Sequence, residues 1–215
     1  MKNYLCSALI LLAMVSCDSK KEAVKTSYKT PDMKLASDVM TPEVLWSFGR
    51  IGSVSVSPDQ KTLLYDVTYF NKEEDRSYSD IYVMNLADGK SQQLTDTDYK
   101  EFGETWTSDG KIAFMSSKSG SVQLWEMNAD GSGLTQLTNV EGGIGGFIFS
   151  PDKSKLLFLK DVKLEQDVHD LHPDLPKANA RLIDGQVYRH WNDWVEVYTH
   201  PFVADYIPGQ MVTTG

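Results

Sequence analysis

Two stretches of this 215-residue chain repeat one another in register: "IYVMNLADGKSQQLT" from Ile81 and "LWEMNADGSGLTQLT" from Leu124. Met84 and Met127, Asn85 and Asn128, Leu94 and Leu137, and Thr95 and Thr138 each stand 43 residues apart. A fixed period of this length restricts the fold more than composition does. Each copy has to be one supersecondary unit that buries its apolar face against the next.

The repeat extends beyond these two phrases. An alternating apolar segment ends in a Ser-Pro-Asp-like turn three times: "VSVSPDQK" from Val54, "TWTSDGK" from Thr105 and "FIFSPDKSK" from Phe147. A second apolar segment follows each turn ("TLLYDV", "IAFMSS", "KLLFLKDV"), then a third of the "IYVMN" type, an Asp-Gly turn at Asp88-Gly89 or Asp130-Gly131, and "QLT". Period-two alternation and β-branched or aromatic residues mark strands. Asp-Gly supplies the positive backbone angles of a tight hairpin. In Ser-Pro-Asp the proline fixes its own φ and the Asp side chain bonds the backbone ahead of it. A four-stranded antiparallel unit of about 40 to 45 residues, repeated, predicts an all-β fold of β-propeller blades. A sandwich of hairpins also alternates, but its strands do not repeat their turn chemistry in register.

About three blades are legible, spread over residues 40–215, whereas rings close with four to eight. The chain is therefore expected to be the amino-terminal piece of a longer protein. The interval from Asp59 to Asp109 is 50 residues, with "YFNKEEDRSYSD" as a polar loop supplying the excess. A longer insertion, residues 163–200, interrupts the third blade before "PFVADY" resumes a strand, and "IPGQMVTTG" reads as the start of the next connection.

The first residues lie outside this pattern. "MKNYLCSALILLAMVSC" has a charged start at Lys2, an apolar run to Val15 and a small residue before Cys17, the plan of a secretory signal. The run is shorter than the roughly 20 apolar residues that span a bilayer. A cysteine directly after the cut makes residues 1–17 resemble a bacterial lipoprotein signal, with Cys17 lipidated and Met14 where Leu is usual. Ordinary secretion with a chance cysteine is the alternative. Residues 18–39 read as a polar tether, and localisation is expected at the cell envelope, through a lipid anchor on a membrane surface. Cys6 and Cys17 are the two cysteines, so the exported body keeps no free thiol. Acidic residues outnumber basic ones by 30 to 21, and loss of Lys2 takes the net charge from −9 to −10. The basic residues are scattered, which argues against a nucleic-acid partner.

Features outside the repeat point to a family. "MTPEVLWSFGRIGSVSVSPDQK" leads into the first blade, and the insertion carries "PDLPKANARLIDGQVYRHWNDWVE" before "HPFVADY". From about Met40 onward the chain resembles exported serine peptidases of the prolyl oligopeptidase family, in particular the bacterial dipeptidyl-peptidase 5 group. The resemblance implies a propeller of seven or eight blades over an α/β-hydrolase domain, with a Ser-Asp-His triad between them and no cofactor. Short peptides enter, folded proteins do not, and dipeptides leave from free amino termini through an acyl-enzyme. The alternative is a non-catalytic TolB-like propeller that binds an envelope protein or glycan.

No G-x-S-x-G nucleophile elbow occurs in the chain. Ser57 and Ser150 belong to turns, so no catalytic residue is assigned. What remains is recognition of the substrate's terminal ammonium, which calls for a carboxylate or amide oxygen at fixed range from the nucleophile. Asn192, Asp193 and Glu196, set among Trp191 and Trp194, are the candidates. In relatives Asp-Glu often stands where this chain has Asn192-Asp193. Packing of the tryptophans onto the blades, with solvated acids, is the competing reading. Glu101, with Glu104, is placed just before the inner strand of the second blade, and Glu101 is the reserve candidate. "HDLHPD" puts His169 and His172 in a loop, where a metal pair is a poor reading. His190 and His200 are taken as hydrogen-bonding within the fold.

Overall fold

The computed structural model describes residues 28–29, 34–35, 37–163, 165–182 and 196–214. A short helix, α1 (Pro42–Ser47), precedes the first blade. Thr41 Oγ1 accepts from the Val44 N–H at its start, and Pro42 takes the first helical position, where its missing N–H costs nothing.

Blade 1 is β1 (Arg50–Val56), β2 (Thr62–Asn71), β3 (Arg76–Asn85) and β4 (Ser91–Gln93), antiparallel and hydrogen-bonded in that order. Blade 2 repeats it with β5 (Glu101–Trp106), β6 (Ile112–Ser116), β7 (Gln123–Met127) and β8 (Thr135–Gln136). The duplicated phrase is thus the outer half of each blade. Its threonine has the same task in both: Thr95 Oγ1 accepts from the Ile81 N–H at 2.9 Å, and Thr138 Oγ1 from the Leu124 N–H at 2.8 Å. The inner turns also repeat. The hydroxyls of Ser57, Thr107 and Ser150 donate to Asp59, Asp109 and Asp152, each at 2.6 Å.

After β9 (Thr138–Val140), the third sheet comprises β10 (Gly146–Phe149), β11 (Lys155–Lys163) and, beyond a one-turn helix α2 (Val168–Leu171), β12 (Val197–Asp205). The chain is a run of β-propeller blades. Their core is continuous because β6 is buried on both faces and its side chains alternate. Ile112 and Phe114 pack with Leu64, Ile81 and Val83 of blade 1. Ala113 and Met115 pack with Leu156 and Phe158 of the third sheet.

Several expectations need correction. "YFNKEEDRSYSD" is mostly strand: β2 runs through Asn71 and β3 starts at Arg76, with Tyr69 opposite Tyr78. Its polar side chains belong to a hairpin that outreaches its neighbours, so polarity there did not mean loop. The insertion narrows to residues 164–196, because β11 and β12 stay paired as far as Lys163 and Val197. The "HDLH" segment is not simply a loop. Asp167 and Asp170 form a reciprocal cap that nucleates α2, whose last turn His172 closes before Pro173. "QMVTTG" contains β13 (Val212–Thr214), which turns back to pair in parallel with β9 of the preceding repeat.

Candidate functional site

Antiparallel neighbours share their ends, so connections between second and third strands emerge together. The parallel bridge between Ser79 and Lys100 orients β3 and β5 alike. The Ile144 N–H donates to Val122 O at 2.9 Å and brings the entry to β10 beside β7. One face of the blades therefore carries Arg50, the β2–β3 turn, the start of β5 and the β11–β12 insertion. The Ser-Pro-Asp turns open on the opposite face. The insertion and Glu101, singled out separately in the sequence, lie at the same end of the sheets.

Glu101 and Glu104 stand within β5 rather than ahead of it, and both are buried, at 2% and 3% exposure. Burial pushes the Glu101 carboxyl above its ordinary range, opposed by hydrogen bonds from Thr95 and Thr97. Burial also pushes Glu104 up, to about 7, and the Asp66 charge adds to it. Both inner strands bulge near a glycine, at Gly52 and at Gly103. Gly52 is required there: a Cβ would sit 2.3 Å from Asp66 Oδ1. At the bulge the Ser53 N–H donates to Asp66 Oδ1 at 2.8 Å and its hydroxyl lies 3.1 Å from both Asp66 Oδ1 and Glu104 Oε1. Among the described residues, Oε2 of Glu101 and of Glu104 lacks a hydrogen-bond partner. These acids are interior groups at the junction of blades 1 and 2.

Trp191, Asn192, Asp193 and Trp194 lie outside the described residues, as do Cys17 and His190. Glu196 is described: it is exposed at the end of the insertion and paired with Arg181. His200 sits in β12 with Nδ1 2.9 Å from Tyr198 O.

A cavity of about 740 Å³ on the same face escaped the sequence reading. Trp46, Phe70, Lys72, Arg76, Tyr99 and Lys100 line it. The available signal was the seven-residue excess of the first repeat interval together with the alternation of aromatic and basic residues in "WSFGR" and "YFNKEEDR".

No family model matches the chain. It is 44% identical over 82% of its length to dipeptidyl-peptidase 5 of Porphyromonas gingivalis, covering 26% of that protein. It is 34% identical over 96% of its length to dipeptidyl-peptidase 5 of Porphyromonas endodontalis, covering 30%. Over these residues the chain resembles dipeptidyl-peptidase 5. It spans between a quarter and a third of the length of these curated relatives. Among solved structures, an acylaminoacyl peptidase in complex with Z-Gly-Gly-Phe-chloromethyl ketone matches 75% of this chain and 24% of its own, with a TM-score of 0.55 at 16% identity. That likeness concerns the fold of the dipeptidyl-peptidase 5-like segment alone.

Proposed function

We propose that this chain is the propeller part of an exported serine peptidase that releases dipeptides from the amino termini of short peptides. The propeller admits and positions the substrate, and a hydrolase domain of the same polypeptide supplies the triad. The observation that carries this reading is the 44% identity to a dipeptidyl-peptidase 5 over 82% of the chain.

Within it, the insertion holds the substrate's ammonium. Glu196 is paired with Arg181, and Asn192 and Asp193 are the other two proposed anchors. Glu101, buried where blades 1 and 2 meet, is the reserve anchor. Removing a hydrogen bond to a charge costs roughly 1.5 to 3 kcal/mol, or about ten- to a hundredfold in kcat/KM.

The test uses the full-length protein and dipeptidyl-naphthylamides with free and acetylated amino termini. Asn192→Ala, Asp193→Ala and Glu196→Ala are compared with Glu101→Gln and Trp191→Ala, with Tm as control. An anchor variant is expected to lose turnover of the free substrate only, while Trp191→Ala lowers Tm and harms both. An unchanged ratio of free to acetylated turnover in every anchor variant would remove the insertion from recognition. No hydrolysis at all by the unaltered protein would favour a binding propeller instead.

A further inference from the structure

The cavity at the β2–β3 tip has built walls. α1 delivers Trp46, whose ring meets Phe70 edge-on at 5.4 Å. The Arg50 guanidinium lies 4.9 Å from the Trp46 ring and 4.3 Å from the Phe70 ring, so a cation locks the aromatic wall from behind. Arg76 is held by a hydrogen bond from Nη2 to Asp98 O at 3.4 Å and by the Tyr78 ring at 5.3 Å. Tyr78 in turn donates its hydroxyl to Glu74. Lys100 is fixed at the backbone by its bridge to Ser79.

Charge runs against the rest of the molecule. The chain carries a net −9, yet Lys72, Arg76 and Lys100 line the cavity against Asp75 and Asp98, with Arg50 beneath the wall. Ion pairs form elsewhere, but none among the described residues involves these four cations. A volume of about 740 Å³ suits a small organic ligand rather than an ion. Fixed aromatic edges beside guanidinium and ammonium groups that make no ion pair among the described residues select a body that is apolar and an end that is anionic.

We propose that this cavity binds an organic carboxylate with an aromatic or apolar body, namely the carboxyl end of a short peptide. The ligand class rests on the cavity alone; its identification as a peptide end rests on the peptidase reading.

Calorimetry on the full-length protein tests it with N-acetylphenylalanine and the neutral N-acetylphenylalaninamide. Both probes have blocked amino termini, so neither uses the ammonium anchor, and the result does not depend on whether the protein hydrolyses anything. The acid is expected to bind at least tenfold more tightly than the amide, with the preference shrinking at high salt. Arg76→Gln and Lys100→Gln should each weaken the acid about five- to twentyfold and leave the amide unchanged, which also shows that the variants are folded. Trp46→Ala should weaken both. Equal binding of acid and amide, or acid affinity unmoved by both cation variants, would overturn the site. A third probe, 3-phenylpropionate, shares the carboxylate and ring but not the peptide group. Equal affinity for it would overturn the peptide identification and leave an aryl-acid site.

Discussion

The junction between blades 1 and 2 and the junction between blade 2 and the third sheet use the same repeat positions and differ in chemistry. Asp80 and Gln123 are 43 residues apart, as are Thr97 and Val140. Gln123 Oε1 accepts from the Val140 N–H at 3.0 Å and from the Thr138 hydroxyl at 2.8 Å, while its Nε2 donates to Val140 O at 2.8 Å. A neutral amide thus latches the outgoing chain with both of its ends used. At the earlier junction Asp80 receives the Thr97 N–H at 3.5 Å, and Asp66, Glu101 and Glu104 are buried with it. The later junction adds Lys153, which reaches back to Asp109 at 2.7 Å and to the buried Glu126 at 2.8 Å. One junction is thus neutralised and latched, and the other collects buried acids on the side where the cavity and insertion open.

The largest effect should come from the apolar side of the latched junction. Phe158 is 1% exposed, stacked on Phe202 at 5.7 Å, and packed against side chains from blade 2. Phe158→Ala is expected to cost about 3 to 5 kcal/mol, the transfer term plus the cavity left behind, read by urea unfolding of the full-length protein. A loss below about 1 kcal/mol would mean that this junction does not carry the segment's stability.

Much of this architecture was legible because it rests on local chemistry that recurs. The 43-residue spacing, the Ser-Pro-Asp turns and the Asp-Gly hairpins each specify a strand or a reversal from a few adjacent residues. The acids were misread for the opposite reason. Glu104 looks like a loop acid in "KEFGETW", and only the bulge at Gly103 and the approach of Ser53 and Asp66 from blade 1 show it as interior. The cavity escaped for a similar reason: α1, β2, β3 and the connection into β5 each supply one to three of its residues. The β13–β9 pairing joins residues more than 70 apart, and no period announces it.

The acidic junction predicts a specific pH dependence. The Glu104 carboxyl titrates at about 7 in the folded chain against an ordinary 4.5, raised by burial and then by Asp66. Between those values the folded state binds more protons than the unfolded one, so stability falls as pH rises from about 4.5 to about 7 and levels off above. The fall is on the order of 3 kcal/mol, and Glu101, shifted in the same direction, adds to it. Glu104→Gln keeps a donor toward Asp66 without the ionisation. It should flatten most of the slope, stabilising the protein by roughly 2 to 3 kcal/mol at pH 8 while leaving pH 4.5 nearly unchanged. Denaturation curves across that range that remain parallel for the two proteins would sink the idea that this junction stores buried charge.

The smallest effect separates the junctions through a turn they share. Ser57 and Ser150 make the same bonds: each hydroxyl donates to the Asp two residues on, at 2.6 Å, and accepts a backbone N–H, from Thr62 or Lys155, at 2.9 Å. They differ in setting. Ser57 is buried, whereas Ser150 is half-buried. Water can replace the lost hydroxyl at Ser150 more readily than at buried Ser57, where the Thr62 N–H would lose this acceptor. Ser57→Ala is therefore expected to cost about 1.5 kcal/mol and Ser150→Ala about 0.5 kcal/mol, both measured by thermal unfolding at pH 6. Such a gap would trace the difference between blades to burial acting on an identical turn. Equal losses would mean that the turn acts as a closed local unit, and the contrast between the junctions would then rest on Asp66, Asp80, Glu101 and Glu104 alone.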